Sequence, residues 1–303
     1  MTYSIVARDE ASGEIGVAVQ TCNLAVGTWV PWAESGVGAV ATQSHADRTY
    51  GTLGLALMRA AKSAQDALTA LMAADSRVAF RQVAMVDSQG RVAVHTGSRC
   101  LPEAGHYLGQ GFSTQANMMA NPTVWSAMAE AYLQATGDLA ARLVTALDAA
   151  EAEGGDIRGR QSAALLVVGP QSATFPVVDL RVDRHPEPLI ELRRMLRLHR
   201  AYAAEYVAAE SVANGEYERV PSLLDEIATG APEQGYLQFL RSYHLARIGH
   251  SAEGLDLMRA LIEANPLWEE YLRRDVQTDT FDNPGLAQQM LAALRLDQKS
   301  SFT

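Results

Sequence analysis

Lysine is almost missing from this chain of 303 residues; Lys62 and Lys299 are the only two. Nearly all positive charge is therefore arginine, which stays protonated, so a lysine base or Schiff-base chemistry has few candidates. Two cysteines, Cys22 and Cys100, are too few for a disulfide framework and lack metal-ligand spacing. The glycines at 105, 109 and 111 match none of the phosphate-cradling patterns. A formal net charge of −10 argues against nucleic acid, whose phosphates need concentrated Lys and Arg. The sequence shows neither a charged-then-apolar leader nor an apolar run of about 18 residues. Neither secretion nor membrane insertion is expected, and a cytoplasmic location is.

What is present suits a globular protein. With 48% hydrophobic and 20% charged residues the chain can bury a core, and its length suggests two domains. At the amino end, Thr2 opens a run in which Tyr3, Ile5 and Ala7 alternate with Ser4, Val6 and Arg8, a strand pattern. If methionine aminopeptidase removes Met1, Thr2 carries a hydroxyl and a free amine in one residue. An α-amino group with a pKa near ~8 can take the hydroxyl proton at neutral pH, making nucleophile and base in one. The plainer alternative is that Thr2 simply begins a β-branched strand.

Further strands are expected at 13–20 and 36–43, both rich in small residues, as in a sheet covered closely on both faces. A helix over 50–62 follows, then a second from Ser63, whose spacing to Asp66 makes a capping box, to about Ala74. Strands at 80–87 and 91–96 come next, then a Gly-rich segment leading to Gln115-Ala116-Asn117. Asn121-Pro122 opens a helix that reaches Gly137; Asp138 caps another, which Gly154-Gly155 stops. Strands at 162–168 and 173–180 close this part. Sequential strands with paired helices predict an α+β fold, a four-layer α-β-β-α sandwich of stacked antiparallel sheets.

Residues 179–188 read as a linker, giving domains at 1–182 and 183–303. Beyond it Tyr202 pairs with Tyr236, Gly215 with Gly249, Leu223 with Leu257, Ile227 with Leu261 and Pro232 with Pro266, each 34 apart. A helix pair repeating at about 34 residues is the tetratricopeptide signature. The expectation is a small all-α TPR-like domain, with a capping helix or two from Trp268 to Leu296.

Three segments together, Thr2–Asp9, Ala25-Val26-Gly27 through Pro31-Trp32 to Thr42-Gln43, and Gly154-Gly155-Asp156-Ile157-Arg158-Gly159-Arg160-Gln161-Ser162, resemble the DUF1028 family of bacterial proteins. The resemblance covers about residues 1–185. It implies the fold of the N-terminal nucleophile (Ntn) hydrolase-like superfamily, whose members cleave amide bonds through an N-terminal Thr, Ser or Cys. The helical part is similar to a domain labelled peptidoglycan-binding in some relatives. Relatives often carry a lysine after the hydroxyl residue that matches Thr21; here Cys22 stands in that place.

The resemblance thus implies a hydrolase using Thr2, with a small amide or acyl-amino compound as substrate; the alternative is a catalytically silent protein binding a ligand or a cell-wall fragment. Gln43 and Asp156 are the further catalytic candidates. Tetrahedral oxyanions need donors worth roughly 3 kcal/mol each, and Gln20, Thr21, Gln43 and Ser44 lie near the ends of strands beside the first. Arg158 can hold a ligand carboxylate, or pair with Asp156 to brace a helix-to-strand turn, with Gln161 and Ser162 following. His45, ahead of Asp47, is a ligand-binding, acid–base or loop histidine; no second histidine at ligand spacing supports a metal, and no cofactor is expected. Gln115 and Asn117 orient a polar substrate or merely precede the Asn121 cap. A homodimer is the expected assembly.

Overall fold

The computed structural model describes residues 2–171, 173, 175–278 and 285–300, the side chains of 295–300 excepted. Among the described residues the chain is a mixed α+β structure of two antiparallel sheets and ten α-helices, with an all-helical C-terminal region. It divides into two compact units at Met195/Leu196.

The first sheet has six strands in the order β10-β9-β2-β1-β8-β7. These are β1 (Thr2–Arg8), β2 (Ile15–Thr21), β7 (Gly105–Gly109), β8 (Phe112–Asn117), β9 (Ser162–Val168) and β10 (Val178–Val182). The second orders β3 (Pro31–Glu34), β4 (Gly38–Ser44), β5 (Arg81–Asp87) and β6 (Val92–Thr96) in sequence. Alternation in β1 sends its side chains two ways. Tyr3 turns to a helix, where its hydroxyl donates to Glu151 at 2.7 Å, while Ser4 and Val6 turn to the second sheet. Burial, and then Glu151, raise the Tyr3 pKa well above its ordinary value.

Between the sheets, Val6, Val17, Val19, Ala39, Ala41, Ala84 and Val86 form a buried apolar core. On the far side of the second sheet pack α1 (Arg48–Arg59) and α2 (Ala64–Ala74), burying Tyr50, Leu55, Met58 and Leu68 against Val40, Val83 and Met85. Asp47 caps α1 and the Ser63–Asp66 box caps α2. Gly51 matters here: a Cβ would stand 2.3 Å from the Trp32 ring, so only glycine lets β3 and α1 meet this closely. On the first sheet, α3 (Val124–Gln134) lies on β7 and β8, and α4 (Leu139–Ala152) on β1, β2 and β9.

Two differences from the sequence expectation change the site. The Gly-rich segment and the polar stretch after it, to which the sequence pattern assigns no strand, form the hairpin β7–β8, and β8 pairs directly with β1 in the register Thr2↔Asn117, Ser4↔Gln115, Val6↔Ser113. Pro31–Glu34 adds the edge strand β3. The closing strand runs Val178–Val182, so the expected linker begins later; Thr174 of the expected strand lies outside the described residues.

The second unit continues α5 (Pro188–Ala213) and holds α6 (Val220–Gly230), α7 (Gly235–Arg247), α8 (Ser251–Ala264), α9 (Leu267–Thr278) and α10 (Leu286–Ser300). Ala204, Ala208, Leu224, Ile227 and Leu237 form one core; Phe239, Met258, Leu272 and Met290 form another. Gly215 and Gly249, 34 apart, close the turns after α5 and α7 with φ of 77° and 92°. The stretch 279–284 within the expected capping helices lies outside the described residues. Among the described residues no helix is long and apolar enough to cross a membrane.

The half of the inter-sheet space nearest Thr2 is polar, and Gln82 is its hub. Its Oε1 accepts from Gln43 Nε2 and Asn117 Nδ2, both at 2.8 Å. Its Nε2 lies 2.8 Å from Ala116 O and 2.9 Å from Thr96 Oγ1. Gln82→Met keeps the volume but strips these partners of their buried bonds. It is expected to cost about 2–4 kcal/mol in urea unfolding with the m-value unchanged.

Candidate functional site

The polar seam ends at Thr2. Gln43 Nε2 donates to the Thr2 carbonyl at 3.1 Å, and Asn117 Nδ2 reaches the same oxygen at 3.4 Å. Ser4 Oγ donates to Gln43 Oε1 at 2.6 Å and accepts from Gln115 Nε2 at 2.6 Å, while Ser113 Oγ donates to Gln115 Oε1 at 3.0 Å. Each of these side chains is buried; the amides of Gln43 and Gln115 have partners at both ends, and Asn117 is engaged through Nδ2. Main chain and side chain at the start of β1 are thereby held in one orientation.

Thr2 itself lines a pocket of about 270 Å³. Asn23, Gln43 and Ser44 supply the rest of its polar wall; Leu24, Val26, Trp29, Val30 and Ala46 supply the apolar one. Thr21 stands behind, its hydroxyl 3.3 Å from that of Thr2. Ser44 adopts φ 68°, a left-handed conformation that serine rarely takes and that costs on the order of 1–3 kcal/mol. It turns the chain out of β4 at the pocket edge.

Three braces hold the rim. Arg81, nearly buried, donates to His45 O at 2.6 Å, to Asp47 at 3.1 Å and to Asp75 at 2.7 Å, fixing the segment that carries Ser44 and Ala46. Ser162 Oγ donates to Asn23 O at 2.6 Å and accepts from Val26 N–H at 3.1 Å, fixing the opposite wall. Asp156, its side chain fully buried, accepts from Cys22 N–H at 3.2 Å and from the Arg158 guanidinium at 2.9 Å. Arg158 in turn donates to Asn23 Oδ1 at 3.3 Å. Since a guanidinium only donates, Oδ1 is the end it holds, and Nδ2 is left as the donor of Asn23.

The structure thus brings together Thr2, Thr21, Gln43 and Ser44. Gln115 and Asn117 lie in the seam beneath Thr2 and serve it through the network. Asp156, Arg158 and Ser162 brace the wall. Gln161 takes part through its backbone, its N–H donating to Thr21 O at 2.9 Å. His45 is not in the pocket lining: it is exposed, packs against Phe80 with the rings tilted and their centroids 5.2 Å apart, and lies 3.0 Å from Arg77. Gln20 faces away from Thr21, on the side of Tyr3, with neither end of its amide partnered. Among the described residues no group of three or more His, Cys, Asp and Glu could hold a metal ion. Asn23, Leu24, Val26 and Trp29 were not foreseen, because the segment from 22 to 30 is irregular and carries no periodicity.

Residues 2–192 match the model of a family of unknown function, DUF1028. The chain belongs to the DUF1028 family. A solved DUF1028 structure, protein SPO2555 from Silicibacter pomeroyi, is similar to this chain at 33% identity and a TM-score of 0.60; the likeness covers 65% of this chain and 88% of that one. Among curated proteins none matches. The matched DUF1028 region holds every residue of the pocket and its braces.

The Arg81 brace should respond to mutation and to pH. Its hydrogen bond to Arg81 holds the Asp75 carboxyl below the usual carboxylate range. A depressed folded value stabilises above the unfolded pKa near ~3.9 and is lost as pH falls through the folded one. The stability gap between wild type and Asp75→Asn is therefore expected at pH ~7 and should shrink as pH falls below ~4, as read by urea unfolding. Arg81→Met leaves Asp75 uncompensated and should cost about 3 kcal/mol.

Proposed function

We propose that this protein is an amide hydrolase of the N-terminal-nucleophile type, acting through Thr2 after removal of Met1 on a small amide or acyl-amino compound. What carries the reading is the position of Thr2: first residue of an interior strand, carbonyl anchored by two side-chain amides, side chain in a pocket. The same reading takes the two sheets and their flanking helices as the α-β-β-α sandwich of the Ntn superfamily, and the helix pairs of the second unit as TPR-like.

In the reaction the freed α-amine takes the Thr2 hydroxyl proton, and Oγ1 attacks the substrate acyl carbon. Thr21, 3.3 Å from that oxygen, orients the hydroxyl. Asn23 Nδ2, whose other end Arg158 holds, and Ser44 at the rim are the donors for the tetrahedral oxyanion. As the intermediate collapses the C–N bond breaks, the α-ammonium gives its proton to the leaving nitrogen, and the acyl group stays on Thr2 as an ester. Water, deprotonated by the amine, then hydrolyses that ester to a carboxylic acid and restores the hydroxyl. Asp156 acts as a positioning residue, through Arg158.

Untagged protein screened against an amide library is expected to turn over at least one member, with an intact mass lacking the initiator methionine. Thr2→Ala should lower kcat by roughly 10³-fold or more, and Asn23→Ala by roughly 10²-fold with KM little changed. A native protein that keeps Met1, or a Thr2→Ala variant as active as wild type, would remove the proposal.

A further inference from the structure

The two walls of the pocket differ in kind, and the difference selects a ligand. Val26 and Val30 are buried at 3% and 4% exposure, whereas Leu24 and Trp29 at the mouth are about half exposed. The apolar wall therefore runs from the floor to the opening. Trp29 is fixed in place: the Arg48 guanidinium lies 4.0 Å from its ring centroid and also donates to Thr28 O at 2.9 Å. That covers one face of the indole and engages the Arg48 charge there.

No ionisable side chain lines the pocket among the described residues. Arg158, behind Asn23, is bound to the fully buried Asp156. A carboxylate pressed against Val26 and Val30 would lose its water with no cationic side chain in the lining to receive it, whereas a hydrocarbon group there loses only water it does not bind. In size the pocket has room for about nine water-sized groups. Such a space suits a short chain, not a peptide or a glycan strand.

We infer that the pocket selects substrates by an uncharged, apolar acyl group of about four to six carbons or one small ring, seated on Val26, Val30 and Trp29 with its carbonyl at Thr2 and Ser44. The orientation rests on the proposed role of Thr2; the choice of a neutral acyl group over a charged one rests on the wall alone. N-acyl amines or simple carboxamides with branched aliphatic or phenylacetyl groups fit, and dicarboxylic acyl groups do not.

The test uses the full chain and two pairs of probes that differ only in charge. Isocaproamide and succinamate have the same shape, an isopropyl group in one standing where the other has a carboxylate. Titrated into Thr2→Ala and followed by tryptophan fluorescence, isocaproamide is expected to bind at least tenfold more tightly than succinamate, and Trp29→Phe should abolish the signal. Should Thr2→Ala fail to fold, the unreactive ketones isoamyl methyl ketone and levulinate form the same pair for wild-type protein. Equal or tighter binding of the carboxylated member, or no response of either pair at Trp29, overturns the inference. Neutral probes that bind but whose amides wild-type protein never cleaves would overturn the hydrolase reading and leave this assignment standing.

Discussion

Everything at the amino end of β1 depends on a chain of buried amides between the sheets. Gln43, Gln82, Gln115 and Asn117 have no water to turn to, so each must find partners in the protein. They find them in one another and in the carbonyls of Thr2, Gln115 and Ala116. A network of this kind admits few arrangements, because a single amide flip would set donors against donors. The other half of the seam, from Val6 to Val86, is apolar and tolerates repacking far better. The sheets are thus glued at one end and pinned at the other, and the pinned end is where the pocket opens.

The pins are also why part of the site escaped the sequence. Strand β1 was legible because Tyr3, Ile5 and Ala7 keep a simple period of two, and α2 because Ser63 and Asp66 form their cap locally. Strand β8 alternates as well, but its polar members Ser113, Gln115 and Asn117 face the buried seam while Phe112 and Ala116 face the helices. Both of its faces are buried, so the usual link between polar and exposed inverts and the segment gives no clear strand signal. Gly105, Gly109 and Gly111 reinforce that impression; Gly105 is small because Trp125 packs within 2.5 Å of where its Cβ would be. The pocket wall from Asn23 to Val30 has no period at all, since Ser162 and Arg158, more than a hundred residues away, hold it.

Among the residues that were foreseen, the structure separates two kinds. Thr2, Gln43 and Ser44 meet at the pocket. Asp156, Arg158 and Ser162 act one step back, converting the turn between α4 and β9 into a brace for the wall that faces Thr2. With Arg81 bracing the opposite rim, the pocket is fixed on both sides before any ligand arrives, which is the condition for donors to act on developing charge without reorganising. Ser44, left-handed at the end of β4, is the one strained backbone point among the lining residues at a strand end, and the braces around it hold that conformation.

The central claim is that the Thr2 hydroxyl is a nucleophile facing this pocket. Its most direct measurement is peptide mass spectrometry after treatment of untagged protein with an apolar β-lactone, an electrophile that acylates an activated hydroxyl and stays attached. The account predicts one adduct per chain, on an N-terminal peptide that begins at Thr2, and none in Thr2→Ala. An unmodified N-terminal peptide, or adducts carried elsewhere and unaffected by that substitution, would contradict it.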